Sequence, residues 1–356
     1  MGYGLRILPD DNGPPIIIDT SSRMLSSLGR YQVNGANDTG DTTVSVTIPN
    51  MMGGTPVIIP NTTVRVIPDP TSNIPRILLL RGVSASGNTL TVNYSQDIRY
   101  DFGAIADINV FEITPAQPQS YGIAFYDSTN FLAITDQTRF GYVVYRATIN
   151  VNGTYTLPGN IPNIANCVVF ANWDNTEYSV WYDRNNHQIK AYGSFGAREG
   201  AVANGVINNM QILVVATGFV PAHPDSGWGF IIRNAQGVTT FSSKYMPVIY
   251  KGGYFSFPYY KEVTTGSAAK EQYISVTGPV SRPMVPLCCL GFMCGDFATS
   301  GQNGTKPVLY SGFKMSGGRV TTFRASPAGV ELAYQFKESR AQVACVLPVL
   351  DGLDYL

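Results

Sequence analysis

Tyr3-Gly4-Leu5-Arg6-Ile7-Leu8-Pro9-Asp10-Asp11-Asn12-Gly13 leads into Ile16-Ile17-Ile18-Asp19-Thr20-Ser21-Ser22-Arg23, and this phrase returns twice further along the chain. The second copy is Tyr121-Gly122-Ile123-Ala124-Phe125-Tyr126-Asp127-Ser128-Thr129-Asn130, then Phe131-Leu132-Ala133-Ile134-Thr135-Asp136-Gln137-Thr138-Arg139. The third is more divergent: Gly227-Trp228-Gly229-Phe230-Ile231-Ile232-Arg233-Asn234-Ala235-Gln236-Gly237, then Val238-Thr239-Thr240-Phe241-Ser242-Ser243-Lys244. Each copy reads as an aromatic or Gly opening, a short apolar strand, a polar turn, a second strand and a basic stop. Self-similarity at a long period predicts tandem units.

Two Pro-bearing breaks precede the second and third copies: Thr114-Pro115-Ala116-Gln117-Pro118-Gln119-Ser120 and Val220-Pro221-Ala222-His223-Pro224-Asp225-Ser226. A residue before proline is pushed toward extended backbone, so both predict short, stiff linkers. Apolar closing strands precede the breaks at 108–113 and 211–216, and a third lies at 341–347. The units are therefore expected at 1–113, 121–218 and 227–356. Within them period two dominates, as in Thr43-Val44-Ser45-Val46-Thr47-Ile48 and Thr89-Leu90-Thr91-Val92-Asn93-Tyr94, which places one strand face on a core and the other in solvent. Tyr178–Tyr182 and His187–Tyr192 flank Asp183-Arg184-Asn185-Asn186, a hairpin pattern. Turns are expected at Ser311-Gly312 and Ser316-Gly317-Gly318. Residues 328–347 fit period two better than a helical period. No helix beyond about two turns is expected. The fold class is all-β: three tandem β-sandwich-like modules joined by short Pro-containing linkers.

Composition narrows the function. Only 13% of the 356 residues are charged, against roughly 25% in an average soluble protein, and the formal net charge is zero. Bulk electrostatics give no reason to expect a nucleic-acid partner. A weakly charged surface favours association, so much of it is expected to meet other chains. No apolar run approaches the roughly 20 residues of a spanning helix, and no secretory h-region is visible, so synthesis in a cytoplasm is expected. The five cysteines, Cys167, Cys288, Cys289, Cys294 and Cys345, are odd in number and read as small core residues rather than a disulfide framework or a zinc site.

Chemistry is sparse. The two histidines, His187 and His223, lack the neighbours of an activated nucleophile. Asp10, Asp11, Asp127 and Asp183 sit at turn positions, where Asx-turn chemistry explains them. No catalytic residue, metal ligand or cofactor is expected. Aromatics remain as candidates for binding: Trp173, Tyr178, Trp181 and Tyr182, then Tyr254, Tyr259 and Tyr260. Alternation sets Tyr178, Val180 and Tyr182 on one face and Trp181 on the other, so one face carries an aromatic outward or into a second layer.

The openings of the first two copies, Gly4-Leu5-Arg6-Ile7 through Asp19-Thr20-Ser21-Ser22-Arg23 and Tyr121-Gly122-Ile123-Ala124-Phe125 through Asp136-Gln137-Thr138-Arg139, resemble tail-tip and tail-fibre structural proteins of tailed bacteriophages. Lys244 replaces the closing Arg in the third copy. The resemblance implies a virion component in the tail, partnered by other tail proteins and itself a trimer or ring around the tail axis. Two other readings stand beside it: an adhesin for a host receptor or glycan whose last module is distal, and a glycan depolymerase with paired carboxylates.

Overall fold

A computed structural model describes residues 4–7, 15–19, 23–36, 39–68, 76–96, 102–113, 122–125, 132–135, 140–193, 202–224, 229–233, 236–263, 272–294, 305–333 and 338–356. The first linker lies outside these residues, and the second is described as far as Pro224. The described chain is nearly all strand, with two three-residue 3-10 turns at Ile164–Asn166 and Gly352–Asp354. Residues 319–333, 338–342 and 345–351 are strands, in line with their period-two pattern.

Each copy of the opening phrase forms a two-stranded antiparallel sheet of its own. Gly4–Ile7 pairs with Ile16–Asp19, Gly122–Phe125 with Leu132–Thr135, and Ile231–Arg233 with Thr239–Ser242. A repeated order of three strands follows. The opening strand Arg23–Asn34 pairs with the closing strand Ala104–Ile113, which pairs with the inner strand Thr55–Thr62. Tyr142–Asn152, Val206–Ala216 and Cys167–Asn172 repeat that order. So do Gly253–Phe257, Cys345–Asp351 and Pro283–Pro286.

Second layers cover these sheets. In the first stretch Gly40–Thr47, Thr89–Gln96, Arg76–Ser86 and Val64–Ile67 form a separate four-stranded sheet. Its alternation is visible in Thr89–Gln96, whose even positions are buried, with Leu90, Val92 and Tyr94 packed against Ile108 and Val110. The second and third stretches differ from the expectation of sandwiches separated at 218–227. Their sheets are continuous: Phe170 pairs with Pro286 and Ala171 with Val285, giving seven strands, while Asn175 pairs with Met315 and Val180 with Phe313, giving nine. The inner strand Cys167–Asn172 is buried at five of its six positions and carries no charge, so nothing blunts its edge against pairing. The first stretch's inner strand carries Pro56 and Pro60, which lack N–H donors, and it remains an edge of its sheet.

The expected turn at Ser311-Gly312 lies instead inside the strand Thr305–Ser316. Gly312 is there because a Cβ would collide with the Val180 backbone carbonyl across the sheet junction. The chain reverses at Gly317 and Gly318, both at positive φ (55° and 71°).

The three stretches close on one another in a ring of backbone hydrogen bonds. Leu25 donates its N–H to the Val248 carbonyl at 3.2 Å, Val248 to Gly141 at 2.9 Å, and Gly141 to Leu25 at 3.0 Å. Leu25 follows Asp19, Gly141 follows Thr135 and Val248 follows Ser242, each by six residues, and those three residues end the three hairpins. Pairing around the ring repeats the same offset: Met24 with Ile249, Phe140 with Ser26, and Pro247 with Tyr142. In each pair the residue before one ring position meets the residue after the next. Such cyclic contacts define a local pseudo-threefold axis.

A dedicated apolar cluster surrounds this junction, including Met24, Leu25, Phe111, Phe140, Tyr142, Phe241, Val248, Ile249 and Tyr355. Phe140 meets Tyr142 and Phe241 edge-on at 6.4 and 6.0 Å, a favoured aromatic geometry. A Cβ on Gly141 would lie 3.1 Å from the Phe111 ring and 3.3 Å from Val248, so the ring is tight at that position. The Tyr355 hydroxyl accepts from Ile249 N–H at 2.7 Å and donates to the Ile249 carbonyl at 3.2 Å. It thereby supplies both bonds that a further strand would offer.

Candidate functional site

Four of the seven aromatic candidates are packing residues. Trp173 and Tyr182 are buried in the main core, out of reach of any partner. Tyr178 is half-buried against the same core, and its ring fills space left by Gly193 and Gly205. Trp181 points to the opposite face, as alternation requires, and meets a ring of the adjacent strand of its own sheet there. It stacks on Tyr310 with ring centroids 5.6 Å apart and planes 15° from parallel. This quartet ties the second stretch to the third.

Beside it, Arg184 joins the second stretch to the first. Its Nη1 donates to the Cys167 carbonyl at 2.7 Å and its Nη2 to Asn61 Oδ1, which also accepts from Asn109 Nδ2 at 2.9 Å. Asp183 performs the expected Asx-turn role, accepting from Asn185 and Asn186 backbone N–H groups at 3.1 and 3.2 Å. Burial alone would raise its carboxyl pKa, but hydrogen bonds from Asn186 and Lys190 outweigh that and hold it below the ordinary value.

The second aromatic run, in the third stretch, behaves differently. Tyr254 is half-buried and exchanges backbone bonds with Thr277, while Tyr259 is 44% exposed. Tyr260 lines a cavity of about 340 Å³ between the two layers of the third stretch. Phe257, Pro258, Ile274 and Tyr260 form its apolar wall, and Thr322, Arg340 and Gln342 its polar wall. Period two puts Arg340 and Gln342 on one face of the strand Glu338–Gln342. Arg340 Nη2 donates to the Thr322 carbonyl at 3.1 Å and to Thr322 Oγ1 at 2.8 Å. Thr322 Oγ1 donates to Gln342 Oε1 at 2.6 Å, and Gln342 Nε2 to the Pro258 carbonyl at 2.9 Å. The guanidinium carbon stands 5.4 Å from the Tyr260 ring centroid. A guanidinium held beside an aromatic ring can orient a hydroxylated or carboxylated ligand through its N–H donors.

Sequence reading named Tyr260 but missed Arg340, Thr322 and Gln342. The Arg-x-Gln spacing in a strand was the available signal, yet the Pro258 carbonyl that Gln342 reaches lies 84 residues away in sequence. The ring residues Leu25, Gly141 and Val248 were missed too, although their fixed distance from each repeat is written in the chain.

His187 occupies a left-handed turn position (φ 52°), and His223 Nε2 lies 3.1 Å from Arg233 Nη2. All five cysteines are buried with free thiols, and burial pushes the Cys167 and Cys345 thiols up to about 12 and Cys289 to about 11. Among the described residues no group of three or more His, Cys, Asp or Glu side chains is placed to hold a metal ion, and no helix is long and apolar enough to cross a membrane.

Fold and site together define an all-β protein of sandwich-like layers whose three stretches close around a shared junction. The chain belongs to the family described as "Family of unknown function (DUF6453)", whose model matches residues 4–333. No curated protein and no solved structure matches it.

Proposed function

We propose that this chain is a non-enzymatic structural component of a bacteriophage tail tip or tail fibre, made in the host cytoplasm and working through protein–protein interfaces in the virion. The observation that carries the reading is the ring at Leu25, Gly141 and Val248, with one hairpin before each member. A chain that repeats one β-unit three times about an axis is suited to an assembly built on rotational symmetry. The resemblance of its opening phrases to tail proteins points the same way. Purified tails of a phage encoding this chain test the reading. Peptide mass spectrometry of the intact tail is expected to find the chain at a fixed ratio to the other tail proteins. Its absence from tails that are complete and infectious would refute the proposal.

A second reading, an adhesin for a host glycan, is favoured by the cavity beside exposed Tyr259. It predicts saturable binding of the purified chain to host surface polysaccharide, reduced at least tenfold in Arg340→Met. Unchanged binding by that variant, or none by the parent, removes this reading without touching the first.

A further inference from the structure

The polar wall of the third-stretch cavity is built around a buried cation. Arg340 is 5% exposed, and Thr322 and Gln342 beside it are buried. Among the described lining residues Arg340 carries the only charge. A guanidinium in such a weakly polar setting attracts an anion more strongly than one in open water. The wall also fixes how the cation is presented. Its Nη2 is held by the carbonyl and hydroxyl of Thr322, so the plane of the fork is set before a ligand arrives. The Thr322 carbonyl, Gln342 Oε1 and the Pro258 carbonyl each accept a bond from the wall itself. Hydroxyls of a neutral sugar look for acceptors, whereas a carboxylate takes the donors that a guanidinium offers in a planar fork.

The other wall is shaped for a ring. Phe257 is buried there, and Tyr260 and Ile274 are half-buried. Aromatic faces of this kind cover the apolar side of a sugar ring. At about 340 Å³ the cavity lies near the small end of the roughly 300–1,000 Å³ of small-molecule sites, room for one ring rather than a run of them. Exposed Gln272 among the lining residues gives a way in.

We infer that the cavity takes a single carboxylated pyranose, a uronic acid residue of a surface polysaccharide, with its carboxylate on Arg340 and its apolar face against Tyr260 and Phe257. This rests on the adhesin reading of the cavity. Matched sugars test it, because galacturonic acid and galactose, like glucuronic acid and glucose, differ only in bearing a carboxylate or a hydroxymethyl group. In ligand-observed NMR titrations of the full chain, at least one uronate is expected to bind about tenfold or more tightly than its neutral partner. Arg340→Met, with an unchanged melting temperature, is expected to erase that difference. Equal affinity within both pairs, binding of neither uronate, or acetate binding as tightly as the uronate overturns the inference, and these titrations of the parent decide it even where the variant does not fold. Host surface polysaccharide separates the inference from the reading beneath it. Binding that survives reduction of the polysaccharide carboxyls to hydroxymethyl groups overturns the uronate and leaves the adhesin standing. No binding to the polysaccharide or to either uronate removes both.

Discussion

Replacing Tyr355 by Phe removes one oxygen from the junction and leaves its packing in place. Tyr355 is fully buried, and its hydroxyl serves both backbone groups of Ile249. Ile249 uses its other side to face Met24 in the ring. The Phe variant therefore strands one buried N–H and one buried carbonyl. Each costs about 1–3 kcal/mol when left unsatisfied, and the carbonyl loses the weaker, longer bond, so about 2–4 kcal/mol is expected in total. That is a large part of the roughly 5–15 kcal/mol that holds a typical protein folded. Equilibrium unfolding in guanidinium chloride, read by tryptophan fluorescence and circular dichroism, gives the difference. Leu353→Ala is the control, because Leu353 is 50% exposed and its loss is expected within about 0.5 kcal/mol. If Tyr355→Phe also falls within about 0.5 kcal/mol, the hydroxyl does not complete the junction and the reasoning fails.

Further outcomes are expected elsewhere. Gly291→Ala puts a methyl group against the Ala341 carbonyl across a paired strand, so loss of soluble protein or a destabilisation of at least about 3 kcal/mol is expected; a normal melt would contradict the pairing. Glu112 is fully buried and accepts from Met52 N–H at 2.9 Å and Gly54 N–H at 2.6 Å, so Glu112→Ala is expected to cost about 2–4 kcal/mol in the same unfolding assay. Asp183 has a depressed folded pKa, so its contribution is present above the ordinary carboxylate pKa and is lost as pH falls through the lower folded value. Stability below about pH 4 should then fall less steeply in Asp183→Asn than in the parent, and parallel profiles would refute this. Ellman's reagent at pH 8 is expected to leave the native thiols unmodified and to react with all five after unfolding, since all five are buried away from the reagent.

Much of the architecture was legible because strands write a period of two into local sequence. The alternation of Thr89–Gln96, the three opening hairpins and the strands between 319 and 351 all carry that mark. Gly312 misled because glycine marks both turns and close backbone approach, and only the position of Val180, more than a hundred residues earlier, separates the two. Continuity of the second and third stretches was hidden for the same reason: an edge strand does not state its neighbour. The aromatic cluster around Trp181 was visible, but its burial depended on Tyr310 of another stretch. At the cavity, Tyr260 was legible as an aromatic, whereas Arg340 and Gln342 became a wall only when Thr322 was brought beside them.

Native-state hydrogen exchange at three amides tests the closure directly. Leu25, Gly141 and Val248 each donate to the next member of the ring, so none can open without breaking the cycle. All three are expected to exchange at one shared slow rate, set by unfolding of the junction as a unit. Exchange of any one of them a hundredfold faster than the other two, under conditions where the protein stays folded, would contradict a closed threefold junction.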